Sequence, residues 1–101
     1  MKLEPGVRIH GIKPEIVLAL AILNDLWPLG NVMEVTSLVD GRHSRGSLHY
    51  VGFAFDLRTR DLEPEELAVI ASEAKDRLGQ DFDVVVEKTH LHIEFQPKEP
   101  Y

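Results

Sequence analysis

His90-Leu91-His92-Ile93-Glu94-Phe95 alternates polar and apolar residues without a break. A period of two means a strand with one face on a core and the other turned toward water or a site. Leu91, Ile93 and Phe95 together need a covering layer, so this strand belongs to a sheet packed on one side. Gly52 to Leu57 makes the same demand: Phe53, Phe55 and Leu57 share one face, and Gly52, Ala54 and Asp56 share the other. Phe82 to Glu87 is rich in β-branched residues, and Asn31 to Ser37 carries Val32, Val35 and Thr36. Both favour strands.

The covering layer is visible as two helical segments. Pro14 suits a first helical turn, Glu15 suits its positive end, and Ile16 through Trp27 is apolar almost all round. That helix is expected to be largely buried and to stop at Pro28 and Gly30. Glu63 to Leu78 has Pro64 early, acids in its first turn, and Leu67, Ile70, Ala71, Ala74 and Leu78 at helical spacing. Lys75 and Arg77 close it, with Gly79 as its C-cap. Between the strands, Val39 to Leu48 reads as a long loop with Gly41, Gly46, Ser44 and Ser47, and loops of that length are often functional. The expected fold is α+β, helices packed on one face of a mainly antiparallel sheet. The 101 residues fit one domain, 1–101, and leave no room for a second core.

Composition narrows the chemistry. A formal net charge of −6 offers no basic stripe for nucleic acid and argues against adhesion to anionic membranes. The longest apolar run, Ile16 to Leu23, is far short of the roughly 20 residues that span a bilayer. No apolar core follows Lys2, so no signal peptide is read and a cytoplasmic location as synthesised is expected. With no cysteine there are no disulfides and no thiolate ligands, so a transition-metal site must use His, Asp and Glu.

The histidines are unevenly spread. His10 stands alone and reads as structural, whereas His43, His49, His90 and His92 form two short clusters. Residues two apart in a strand share a face, so His90, His92 and Glu94 project together. Such groups are costly to bury without a partner. Asp56 ends the small-residue face of its strand, with His49 shortly before it. If the two strands are neighbours, His49, Asp56 and one histidine of the pair converge. A set of two histidines and one aspartate with one open position is a normal catalytic zinc arrangement.

Ser47-Leu48-His49-Tyr50-Val51-Gly52-Phe53-Ala54-Phe55-Asp56 matches the S-x-H-x-x-G-x-A-x-D signature of D-Ala-D-Ala carboxypeptidases and related murein peptidases. Glu87-Lys88-Thr89-His90-Leu91-His92 resembles their second motif. The loop resembles the hedgehog signalling domain more closely, through Asp40-Gly41, His43-Ser44 and Ser47-Leu48-His49-Tyr50. The resemblance implies one Zn2+ per chain, held by His49, Asp56 and a histidine of the last strand. An E-x-x-H register selects His90, with Glu87 as base. The His-x-His register selects His92, which is favoured, with His90 lining the site. Glu87, His90 and His43 are the implied catalytic groups; Arg42, Arg45 and Ser47 are the candidate substrate contacts.

The implied activity is zinc-dependent hydrolysis of peptide bonds in bacterial peptidoglycan, in a chain suited to a phage-type lysis enzyme. A non-catalytic, zinc-stabilised binding module is the alternative. The upstream tyrosine-arginine-serine segment of the murein carboxypeptidases is absent. Of hedgehog's calcium acids only Asp40 falls in place, so no calcium is expected.

Overall fold

The computed structural model describes residues 1–38 and 53–97. In chain order the elements are β1 (Lys2–Leu3), α1 (Pro14–Leu26), β2 (Glu34–Ser37), β3 (Ala54–Arg58), α2 (Pro64–Leu78), β4 (Phe82–Val86) and β5 (His90–Phe95). The strands form one sheet in the order β1-β2-β3-β5-β4. β1 and β2 run parallel; the β2–β3, β3–β5 and β4–β5 pairs are antiparallel. The α+β architecture is the one expected.

The position of β5 follows from the connections. β3 and β4 both run antiparallel to β5, so the β3-α2-β4 segment is a crossover that leaves a gap one strand wide. The hairpin after β4 folds β5 back into that gap, giving a split β-α-β unit. This puts β5 beside β3, in the interior of the sheet. Its apolar face is correspondingly sealed: Leu91 and Ile93 are fully buried, as are Phe55 and Leu57 of β3. Side chains of this size contribute roughly 1.5–3 kcal/mol each on burial.

The helices start and stop for local reasons. Lys13 and Trp27 each precede a proline, and a residue before proline is pushed to extended backbone. Lys13 has ψ 151° and Trp27 has ψ 140°, so both ends of α1 are set by Pro14 and Pro28. In α2 the Glu63 N–H donates to Glu66 Oε1 at 2.9 Å, and Gly79 closes the helix at φ 82°. A positive φ of this kind suits glycine.

α1 turns Ile16, Ala19, Leu20 and Leu23 to the core, and α2 turns Ile70, Ala71 and Ala74 there. The expectation that α1 is largely buried needs correction: Val17 is 52% exposed and Leu18 67%. One sheet face and one neighbouring helix cover a stripe of a helix, not its circumference. The short β1 had no signature in the sequence. Its pairing rests on backbone bonds, Lys2 N–H to Met33 O at 2.8 Å and Glu4 N–H to Val35 O at 2.9 Å. Among the described residues no helix is long and apolar enough to cross a membrane.

Candidate functional site

With both helices on the apolar face, the opposite face of the sheet holds the chemistry. Asp56 of β3 stands directly opposite His92 of β5, Arg58 opposite His90, and Ala54 opposite Glu94. Directly paired residues of antiparallel strands lie on the same face, with side chains close enough to touch. His92 Nδ1 is 2.7 Å from Asp56 Oδ1, and His92 Nε2 is 2.9 Å from Glu94 Oε1. His90 Nε2 is 3.7 Å from the same Asp56 oxygen, and its Nδ1 lies 3.2 Å from Thr89 Oγ1.

β2 carries a β-bulge beside Asp56. The β2–β3 register shifts between Val35, which pairs with Leu57, and Ser37, which pairs with Asp56. Bulges re-aim side chains and are frequent beside active sites. Thr36, inside the bulge, donates its hydroxyl to the Asp56 carbonyl at 3.4 Å. Further along, Arg58 donates to Glu4 at 2.6 Å and Glu34 at 3.3 Å. Its charge is thereby compensated by two acids rather than turned on the histidines.

His92 is held as a cation. Ionised carboxylates only accept hydrogen bonds, so a ring between two of them donates from both nitrogens. The bond to Asp56 is the main reason its pKa rises from 6.5 to about 9. Partial burial opposes the shift, and Glu94 adds to it. Asp83 of β4 and Lys75 of α2 line the same hollow as His92 and Glu94.

A histidine whose pKa is higher in the folded than the unfolded state stabilises fully below its unfolded value, and that contribution is lost as pH rises through the folded value. Metal-free protein should therefore lose stability between about pH 6.5 and pH 9, by on the order of 3 kcal/mol from this group. Melting curves at pH 6 and pH 9.5, with His92→Gln alongside, check it. An equal pH response in the two proteins would contradict the assignment.

The other sequence candidates fall in different places. Glu87 follows β4, and its backbone N–H donates to His90 O at 2.9 Å. This extends the hairpin register by one pair and puts Glu87 opposite His90, on the site face, with an exposed side chain. Ala54, on the same face of β3 as Asp56, is fully buried. Arg42, His43, Arg45, Ser47 and His49 lie outside the described residues. Glu94 was visible on the histidine face of the sequence, but its bond to His92 was not.

The donors present suit zinc. A half-buried carboxylate and an imidazole nitrogen converge, and a second carboxylate holds the ring's other nitrogen, the usual outer partner of a ligating histidine. Among the described residues no three His, Asp or Glu side chains form a complete metal centre. His49, the remaining ligand implied by the motif, lies outside them.

The family model of the hedgehog amino-terminal signalling domain matches residues 12–94. That span takes in α1, β2, β3, α2, β4, β5 as far as Glu94, and all of the Asp56–His92–Glu94 cluster. The chain belongs to the hedgehog amino-terminal signalling domain family. This family is part of the hedgehog/DD-peptidase superfamily, which is zinc-peptidase-like. The two helices on a five-stranded mixed sheet are consistent with the hedgehog domain. Within this hedgehog-family chain, the sheet face carrying Asp56 and His92 is the candidate metal face.

Proposed function

We propose that this hedgehog-family chain is a zinc-dependent peptidase acting on peptides of the bacterial cell wall. The observation carrying the reading is the convergence of Asp56 and His92 at 2.7 Å on a half-buried sheet face, with His90 beside them. His49 is proposed as the third ligand, for one Zn2+ per chain. The S-x-H-x-x-G-x-A-x-D motif supports the substrate class. The net charge of −6 supports a peptide partner rather than nucleic acid or membrane.

When bound, zinc supplies Lewis acidity that acidifies water and polarises a carbonyl. Asp56 and His92, paired across adjacent strands, would hold the ion. Glu87, on the site face, accepts the proton of the attacking water and delivers it to the leaving amine. The C–N bond breaks, the carbonyl carbon gains the water oxygen, and the amine leaves protonated. His90, 32% exposed at its side chain, would donate to the developing oxyanion. The assay is release of new amino termini from purified wall fragments, located by mass.

The matched family is a signalling domain, and this favours one second reading: a binding module that keeps zinc for stability. Fold alone does not choose between them. Protein with stoichiometric zinc and no hydrolysis of any wall peptide would select the module. Both readings share one expectation. Chelation should lower the melting temperature without abolishing the fold, because the core is built from the apolar face. An ion at 100 times its Kd contributes about 2.7 kcal/mol. Coincident melting curves with and without chelator would remove zinc from either role.

A further inference from the structure

His92 Nε2 bonds Glu94 Oε1 at 2.9 Å, on the ring edge away from Asp56. We infer that Glu94 is a positioning residue for the metal site: it holds Nε2–H of His92, so that the ring presents Nδ1 toward Asp56 and zinc. The inference rests on the zinc reading and assigns Glu94 a role that the sequence motif does not give it.

A half-turn of the imidazole about Cβ–Cγ puts Cδ2 where Nδ1 was and Cε1 where Nε2 was. With nothing at Nε2, the two orientations differ only in the contact at the Asp56 end. Glu94 adds a second anchor at the far end, and only one orientation satisfies both. The side chains of His92 and Glu94 are 19% and 23% exposed, so water competes poorly for either end.

The strand geometry makes this contact available. His92 and Glu94 are two apart on β5 and share its site face, and Glu94 stands opposite Ala54. A larger residue at Ala54 would crowd the carboxylate; a methyl leaves it room to lean along the strand to the ring. Nδ1 must shed its proton to bind a metal, and the remaining proton then sits on Nε2, facing Glu94. A carboxylate accepting that proton also makes Nδ1 a stronger donor. Glu94 thus selects the ring orientation, the tautomer and the ligand strength together.

The test is zinc affinity by chelator competition for wild type, Glu94→Ala and Glu94→Gln, with melting of each metal-free protein. Wild type is expected to bind one zinc. Glu94→Ala should bind about 10–100-fold more weakly, the usual loss for such a partner. Glu94→Gln keeps an oxygen acceptor and should recover much of that loss. In ¹H–¹⁵N spectra of zinc-loaded protein, the His92 Nε2–H proton should be protected from exchange in wild type and Glu94→Gln, but not in Glu94→Ala. Variants that melt lower yet bind zinc with wild-type affinity would make Glu94 merely structural and overturn the inference, leaving the peptidase reading intact. A wild-type protein that binds no zinc would overturn both.

Discussion

His92→Ala and Asp56→Ala should each abolish stoichiometric zinc binding, and His90→Ala should leave it. The distinction is geometric. His92 Nδ1 is 2.7 Å from Asp56 Oδ1, while His90 Nε2 is 3.7 Å away. His92 is also the less exposed ring, at 19% against 32%. Loss of a direct ligand should exceed the roughly 10–100-fold typical of an outer partner, so zinc should wash out during purification. His49→Ala should behave like His92→Ala if the motif assigns the third ligand. Elemental analysis of the purified variants, with circular dichroism to establish folding, reads this directly. Full zinc in folded His92→Ala and Asp56→Ala would eliminate this face as the metal site. Loss in His90→Ala alone would transfer the ligand role to His90 and the E-x-x-H register.

Replacing Glu87 by Gln should cost about 10²–10⁴ in kcat on wall peptides, the usual loss for a general base, with zinc retained. Gln nearly preserves shape but cannot take a proton, so the substitution separates chemistry from metal assembly. Glu87 lies opposite His90 one step beyond β4, where its backbone N–H bonds the His90 carbonyl. The side chain is exposed in this state, so the base role requires it to fold over the site face with substrate bound. Catalytic hydrogen bonds often tighten only in that complex. A Glu87→Gln protein that turns over at the wild-type rate would pass the role to another group, with His90 and Asp83 on the same face as the next to replace.

The strands and helices were legible wherever one face of an element carried a clean pattern. His90–Phe95 appears with the bounds its alternation required, and Pro14, Pro28, Pro64 and Gly79 marked the helix ends. Patterns are weaker where an element is short or covered on an unforeseen side. β1 is two residues long and is held by backbone bonds that no side chain advertises. The outer face of α1 is apolar yet exposed, because hydrophobicity reports what can be buried and not how much partner surface exists.

For the site, the sequence by itself determined which side chains share a face: His90, His92 and Glu94 on one strand, Asp56 on another. It also excluded thiolate chemistry, having no cysteine. Only the tertiary structure decided that these faces meet. The α2 crossover opened a gap, the β4–β5 hairpin filled it, and the register set Asp56 against His92 rather than against His90. It also decided that Glu94 bonds the far nitrogen of His92. Side-chain alternation is local and can be read along a chain. Strand order and register depend on pairing between distant segments, where a slip of one residue would turn the whole histidine face into the core.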